Sequence, residues 1–185
     1  MDCPLAVSTA RAGNVIGGGD FSADRIVPDC VRTVEAGKDA VELRNPFSTR
    51  PYQHVLESIF AYLMIAKCQY EETAYAGHYN VGPDECDCVT TSELVTAFCA
   101  SWNDGSGVAK LSWEDVSDPN APHEANFLKL DTSKVKSVFG WQPRWHIDEA
   151  IRNTAEWYRI WMTGGDIRAE MDREIKDYIC KSSPF

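Results

Sequence analysis

The stretch ARAGNVIGGGD, Ala10–Asp20, follows a run of small and β-branched residues and ends in three consecutive glycines and an aspartate. The preceding run, Leu5–Ala10, predicts a short buried strand. Ligands of open α/β sheets bind beyond the carboxyl ends of strands, where glycines let the backbone come close to them. With Arg11 and Asn14 beside them, the glycines therefore indicate the rim of a site for a polar, phosphorylated small molecule. A strand followed by a glycine-rich turn is the plainer alternative.

Composition limits the kind of protein that this chain forms. The 185 residues suit one domain, or one large part of a bigger protein, and a hydrophobic fraction of 44% supports a sizeable core. A formal net charge of -10 argues against non-specific nucleic-acid binding, since no basic stripe is present to neutralise phosphates. No apolar run approaches the roughly 20 residues that cross a bilayer, and no secretory signal opens the chain. Neither nucleic acid nor membrane is therefore expected as a partner.

The cysteines give a prediction about compartment and metal binding. There are seven, and an odd number without a signal sequence predicts reduced thiols in the cytoplasm. Cys86-Asp87-Cys88 contains the one close pair. Because no second pair follows at zinc-finger spacing, a loop near solvent is favoured over a metal site, and no metal is expected.

Hydrophobic periodicity and end signals predict helices with a few short strands between them. Helices are expected over about Ile26–Gly37, Val55–Cys68, Thr90–Trp102, Ile147–Met162 and Asp166–Ile179. Further strands are expected at Ala40–Leu43 and His78–Val81, and Ser48–His54 is predicted as a loop. The helix from Val55 is predicted to bury Leu56, Ile59, Phe60, Leu63 and Met64. The strands do not form a run of complete βα units, which indicates part of a sheet that other residues complete.

Polar side chains recur where predicted strands end. Asn14 follows the first strand, Arg50 lies in the loop after the second, and Asn80 lies at the end of the third. Arg25 opens the first helix, where the helix dipole attracts anions. Each residue alone is explained as well or better by a surface ion pair or a turn. The four together favour a diphosphate site, because arginine binds phosphate in a bidentate manner.

The motifs that would carry catalysis do not occur in this sequence. No tyrosine is followed four residues later by lysine, and no Gly-x-Gly-x-x-Gly follows a strand. A Gly-x-Ser-x-Gly elbow and a His-Glu-x-x-His pair are also absent. His54 with Glu57, or His123 with Glu124, are acid–base candidates, but hydrogen-bonding roles are favoured for these histidines. No catalytic residue is therefore predicted in this chain.

Four segments carry a family resemblance. They are ARAGNVIGGGDFSADRIVPD from Ala10, LRNPFSTRPYQHVLE from Leu43, YNVGP from Tyr79 and HEANFLKLDTSKVKSVFGWQPRW from His123. Together they closely resemble the C-terminal half of the CDP-glucose 4,6-dehydratases, a family of extended short-chain dehydrogenase/reductases. The resemblance implies an α/β fold, namely the substrate-binding part of a Rossmann-type protein. This part would be helix-rich with a few short strands and would lack the N-terminal NAD-binding sheet.

The resemblance also implies an organisation and a reaction. Residues 1–20 would be the last strand of the Rossmann domain and its crossover, 21–163 the nucleotide-sugar domain, and 164–185 a C-terminal helix and tail. The family uses NAD to convert CDP-glucose into CDP-4-keto-6-deoxyglucose and water, and it forms homodimers. Its catalytic tyrosine and lysine would lie upstream of Ala10, so this chain alone is expected to be inactive. It is also expected to expose an apolar strand edge that favours self-association.

Binding roles follow from the resemblance residue by residue. Substrate contacts are implied for Asn14 near the sugar and diphosphate, for Arg25 and Arg50 at the phosphates, and for Asn80 beside them. The strand edge with Val41, Leu43 and Arg44 would line the nucleobase, and Glu124 would contact the nucleoside. Ala12 and Gly13 would touch the nicotinamide end of NAD. Half of another nucleotide-sugar dehydratase or epimerase, or a non-catalytic binding module, is the alternative.

Overall fold

The computed structural model describes residues 5–105, 107–118 and 128–181. Within them, hydrophobic residues at helical spacing form six α-helices, and short runs rich in β-branched residues form seven strands. The helices are α1 Ile26–Glu35, α2 Val55–Glu71, α3 Thr91–Asn103, α4 Ser133–Phe139, α5 Ile147–Met162 and α6 Ile167–Cys180. The strands are β1 Thr9–Ala12, β2 Asn14–Ile16, β3 Ala40–Leu43, β4 Thr49–His54, β5 His78–Val81, β6 Cys88–Thr90 and β7 Ser112–Asp115. The order confirms the prediction of an α/β chain that is rich in helix.

The strands form three small sheets in the described part of the chain. β1 pairs with β5 and β3 pairs with β7, both in parallel. The third sheet has the order β2-β4-β6, in which β4 is parallel to β2 and antiparallel to β6. Parallel pairs are normally covered on both faces. The helices therefore decide where the core lies.

Two hydrophobic clusters form that core. The larger lies between α1, α3, α5 and strands β3 and β4, and it encloses Trp102 and Tyr158 completely. The smaller lies between α2, β5 and α4, around Tyr79 and Val81. At the start of α3, the Thr90 hydroxyl accepts from the Glu93 amide (3.2 Å) and the Glu93 carboxylate accepts from the Thr90 amide (2.8 Å). This arrangement is the capping box expected from the sequence.

The prediction of a buried strand over Leu5–Ala10 is wrong. β1 begins at Thr9, and the side chains of Leu5 and Val7 are 89% and 64% exposed. β1 pairs with β5 on one edge, and within the described residues no strand lies on its other edge. β-branched residues are buried in a strand only where a layer covers them, so this run stays in solvent here.

The prediction of a loop over Ser48–His54 is also wrong, because this segment is the central strand β4 of the three-stranded sheet. Pro51 made a strand look unfavourable, because proline has no N–H to donate to a neighbouring strand. Residues Thr49–Pro51 pair with β6, whereas Tyr52–His54 pair with β2. Pro51 therefore lies where β4 changes partners, a position that tolerates the missing N–H.

The predicted buried face of α2 is wrong as well. The buried side chains are Glu57, Ser58, Ala61 and Ile65, whereas Ile59 and Leu63 are 45% and 65% exposed. A helix that is apolar almost all round carries no periodic signal for its inner face. Here the inner face is fixed by the Glu57 carboxylate, which is fully buried and accepts hydrogen bonds from the backbone amides of Arg144 (2.9 Å) and Trp145 (2.7 Å).

Candidate functional site

A cavity of about 1050 Å³ opens where β2, β3 and β4 meet the start of α1. It is lined by six of the ten residues for which the sequence predicted binding roles, namely Gly13, Asn14, Arg25, Leu43, Arg44 and Arg50. These residues come from separate segments of the chain. The three-stranded sheet and the loop after β3 therefore assemble most of the predicted set in one place.

Asn14 reaches the cavity because the chain changes sheets beside it. β1 ends at Ala12 and β2 begins at Asn14, which lies opposite Tyr52 of β4. Gly13 alone connects the two strands, and its amide donates to the Val81 carbonyl (3.3 Å). A Cβ at Gly13 would lie 2.8 Å from the Pro51 carbonyl oxygen. Glycine is therefore required at this junction for close backbone approach.

The three consecutive glycines divide between the cavity and the core. Gly17 lines the cavity. Gly18 and Gly19 instead approach the Trp157 ring on α5, and a Cβ at Gly18 would lie closer than 3.0 Å to three ring atoms. Next to them, the Tyr158 hydroxyl donates to the Asp20 carbonyl, and the ring of Phe21 packs against that of Trp161 (4.9 Å between centroids). The glycines thus serve helix packing as well as the rim of the cavity.

The arginines of the cavity differ in how they are held. Arg50 lies on β4 opposite Val89, is partly buried, and donates to the Thr49 carbonyl (3.0 Å). Arg25 precedes α1 and lies 3.9 Å from the Asp20 carboxylate, with its side chain 58% exposed. Arg44 is largely exposed and lies 3.7 Å from Asp24. Two of the three guanidinium groups can therefore turn toward a ligand at little cost, since exposed ion pairs are weak.

Carboxylates also line the cavity, and their partners decide its electrostatics. Partial burial raises the pKa of Asp20, but hydrogen bonds from Ser22 and the charges of Arg25 and Arg32 outweigh it, so the net pKa is lowered. Asp29 forms an ion pair with Arg32 on α1. The amides at the start of α1 are not capped by the Arg25 side chain. The first turn of this ten-residue helix therefore favours a negative group.

Several residues that line the cavity were not predicted from the sequence, among them Phe47, Ser48, Tyr52 and Thr91. Phe47 is 70% exposed in the loop after β3, so it offers a flat apolar surface at the mouth. The loop is fixed to the start of α3, because the Pro46 carbonyl accepts from the Ser92 amide (2.9 Å) and the Ser48 carbonyl accepts from the Thr91 amide (3.0 Å). The position of Phe47 directly after the turn residues Asn45-Pro46 could have indicated an aromatic side chain exposed at the cavity.

Four of the predicted residues do not line this cavity. Val41 is 2% exposed and lies in the core opposite Trp113. Ala12 ends β1 opposite Val81, and the Asn80 amide group donates to the Asp131 carbonyl (3.1 Å). Glu124 lies outside the described residues. Their binding roles remain predictions.

His54 and Glu57 have structural roles, in agreement with the hydrogen-bonding interpretation. His54 is fully buried, its Nδ1 accepts from the Leu56 amide (3.3 Å) at the start of α2, and burial lowers its pKa to about 3. It therefore stays neutral at neutral pH. Burial raises the pKa of Glu57, and this effect is partly offset by hydrogen bonds from Trp145, Tyr178 and Arg144. Neither group reaches the cavity.

Among the described residues, no helix is both long and apolar enough to cross a membrane.

Solved structures define the class of fold. The chain matches UDP-glucose 4-epimerase from Stenotrophomonas maltophila, solved with NAD and formylated UDP-arabinopyranose, with a TM-score of 0.70 over 87% of this chain and 50% of that one, at 17% identity. It matches dTDP-glucose 4,6-dehydratase from Bacillus anthracis, solved with NAD, with a TM-score of 0.59 over 81% of this chain and 43% of that one, at 17% identity. The fold is therefore that of about half of a nucleotide-sugar epimerase or dehydratase of the short-chain dehydrogenase/reductase type.

The sequence comparison narrows this class. Over 176 residues, 95% of this chain, the sequence is 39% identical to CDP-glucose 4,6-dehydratase from Salmonella typhimurium. No protein-family model matches the chain. The chain belongs to the CDP-glucose 4,6-dehydratase family, which confirms the resemblance drawn from its motifs. It spans 47% of the length of that relative.

Proposed function

We propose that this chain is the C-terminal, substrate-binding half of an NAD-dependent CDP-glucose 4,6-dehydratase, and that its cavity holds CDP-glucose. The observation that carries the proposal is the cavity in which Asn14, Arg25, Arg44 and Arg50 meet from separate segments. The guanidinium groups of Arg25 and Arg50 suit a diphosphate, because arginine pairs with phosphate oxygens through two parallel hydrogen bonds. Family membership supplies the choice of a cytidine sugar nucleotide.

Each side chain has a role in this proposal. Arg50, which is partly buried, binds the diphosphate, and Arg25 approaches it together with the first turn of α1. Asn14 bonds to the sugar. Leu43 and Arg44 border the nucleobase, and the exposed ring of Phe47 stacks on it. The volume of about 1050 Å³ is at the upper end of small-ligand sites, as an extended sugar nucleotide requires.

NAD is the cofactor that the family implies, and the described residues of this chain do not form a complete site for it. The sequence has no glycine fingerprint after a strand. Gly13 packs against the Pro51 carbonyl instead of opening a cradle for phosphate. Contact with NAD is proposed only for Ala12 and Gly13. The proposal therefore assigns substrate binding to this chain and no hydride transfer.

A complementary NAD-binding half is proposed to cover the open edge of β1, with residues 1–20 at the seam, 21–163 as the nucleotide-sugar domain and 164–185 as the C-terminal helix and tail. Support comes from Leu5 and Val7, which are exposed beside β1, and from Ile59 and Leu63, which are exposed on α2. Exposed large apolar side chains of this kind are typical of an interface. Without its complement, the chain is expected to self-associate through these residues instead of forming the homodimer of the family.

The substrate proposal predicts selective nucleotide binding. Isothermal titration of the purified chain with CDP, UDP, dTDP and GDP is expected to give the tightest binding with CDP. Arg50→Ala is expected to weaken CDP binding by at least tenfold, since charge-assisted hydrogen bonds contribute about 1.5–3 kcal/mol each. Arg168→Ala, which removes an exposed arginine on α6 outside the cavity, is the matched control and should leave the affinity unchanged.

Two results would count against the proposed function. A preference for another nucleotide would favour half of a different dehydratase or epimerase, and equal affinity in the Arg50 and Arg168 variants would remove the diphosphate site from this cavity. Incubation with CDP-glucose and NAD is expected to give no 4-keto product. Formation of that product would show that the chain is catalytically complete.

A further inference from the structure

Outside the cavity, three side chains with metal-binding atoms meet between the 3-10 turn Glu85–Asp87 and the start of α5. They are Cys86, Asp87 and His146, and one ligand atom from each lies within 4.8 Å of the others. The sequence pattern showed only the pair Cys86 and Cys88. His146 follows some sixty residues later and is brought to the turn by the fold alone.

The carboxylate at the centre of this cluster is already held in place. Asp87 is 3% exposed; its Oδ1 accepts from the Ile147 amide (3.0 Å), and its Oδ2 lies 2.9 Å from Nδ1 of His146. The amide of Asp87 donates to the Asp84 carbonyl (3.0 Å). Metal sites in proteins typically hold their ligating side chains in orientation with further hydrogen bonds, as Ile147 does for Asp87.

The distances suit a tetrahedral cation after small movements. With metal–N and metal–O bonds of about 2.0–2.2 Å, tetrahedral geometry places the two ligand atoms about 3.4 Å apart. Nδ1 of His146 and Oδ2 of Asp87 would therefore separate by about half an ångström as the cation replaces the proton between them. Cys86 is exposed, so its side chain can rotate to bring Sγ into range.

The charge around the cluster also favours a cation. The carboxylates of Asp84, Glu85 and Asp87 all belong to residues within two positions of Cys86 in the sequence. Lys136 pairs with Asp84 and Lys129 with Glu85, which leaves the carboxylate of Asp87 facing His146. The side chain of His146 is 60% exposed, so solvent can complete the coordination.

The geometry points to a site for a thiophilic divalent cation, with Zn²⁺ as the best match, bound by Cys86, Asp87 and His146. Thiolate, imidazole and carboxylate together are typical zinc ligands, and water would fill the fourth position. Binding releases the thiol proton to solvent and ties the turn before β6 to the start of α5. No metal was expected from the sequence, because His146 lies sixty residues from Cys86 and only the fold brings it to this turn.

The test uses Co²⁺ and Zn²⁺ as probes on the whole chain, reduced and freed of metal. Titration with Co²⁺ is expected to give a thiolate-to-cobalt charge-transfer absorption that saturates at one equivalent. Cys86→Ser is expected to abolish the absorption, and His146→Gln to weaken Co²⁺ binding at least tenfold. Cys180→Ser, which removes an exposed cysteine on α6, should leave both unchanged. Zn²⁺ should raise the melting temperature of the parent chain and not that of the Cys86 variant.

Three outcomes would overturn the inference: no absorption in the parent chain, absorption that persists in Cys86→Ser, or absorption that is lost in Cys180→Ser. Because Cys86 is exposed and serine has nearly the same shape, the Cys86 variant tests binding without disturbing the core. Circular dichroism of both cysteine variants without metal checks this point. Nucleotide binding plays no part in the readout, so the result is independent of the proposed function.

Discussion

Gly18→Ala is expected to destabilise the fold by about 3 kcal/mol, the upper part of the range for overpacking a core. The new Cβ would lie closer than 3.0 Å to three atoms of the Trp157 ring. That ring is 7% exposed and belongs to the larger cluster, so it has little room to move. Denaturant unfolding followed by tryptophan fluorescence measures the change.

Gly37→Ala is the matched control for this prediction. Gly37 has φ +71° with no atom near its missing Cβ, so alanine there costs backbone strain alone, about 1–2 kcal/mol. The double variant Gly18→Ala with Trp157→Phe tests the contact directly, since a smaller ring should recover part of the loss. If Gly18→Ala unfolds at the same denaturant concentration as the parent chain, the packing of the glycines on α5 is wrong.

Glu57→Ala is expected to destabilise the fold by about 3–5 kcal/mol, because it leaves two buried donors and one partly buried donor without an acceptor. These are the amides of Arg144 and Trp145 and the hydroxyl of Tyr178, which donates to Oε2 (2.8 Å). The carboxylate joins α2 to α6 through this last bond. Protease cleavage within α6 should therefore speed up in the variant before the whole chain unfolds.

Two further variants distinguish the loss of the Glu57 hydrogen-bond network, formed with Arg144, Trp145 and Tyr178, from a general loss of stability in α2. Glu57→Gln keeps an acceptor for both amides, and the Tyr178 hydroxyl can rotate to accept from the new amide group, so a loss of about 1 kcal/mol is expected. Glu71→Ala removes an exposed carboxylate of the same helix that pairs with Lys67, and it should stay within about 0.5 kcal/mol of the parent chain. Equal effects in Glu57→Ala and Glu71→Ala would contradict the network.

Local signals in the sequence predict the helices well and the strands less well. α1 and α3 follow from periodicity and from the Thr90–Glu93 pair, which depend on neighbouring residues only. The strand β4 was missed because what permits it is the change of partners at Pro51, a feature of tertiary pairing. The inner face of α2 was missed because Glu57 is fixed by amides 87 and 88 residues away.

The candidate site shows the same division. Asn14, Arg25 and Arg50 were predicted together and all line the cavity, although Arg50 lies within β4 and not in the predicted loop. Phe47 and Thr91 were not predicted, since their place depends on hydrogen bonds between the loop after β3 and the start of α3. The cluster around Asp87 depends in the same way on a distant histidine.

The junction at Gly13 has a mechanical consequence. One residue connects β1, whose outer edge has no partner in the described chain, to β2, which carries Asn14 into the cavity. A longer loop could accommodate a rotation of the β1–β5 sheet relative to β2. The single residue Gly13, packed against Pro51, leaves little room for such a rotation. A partner that displaced β1 would therefore displace Asn14 as well. By the reciprocity of linked equilibria, a ligand bound by Asn14 would then change the affinity for that partner by the same free energy.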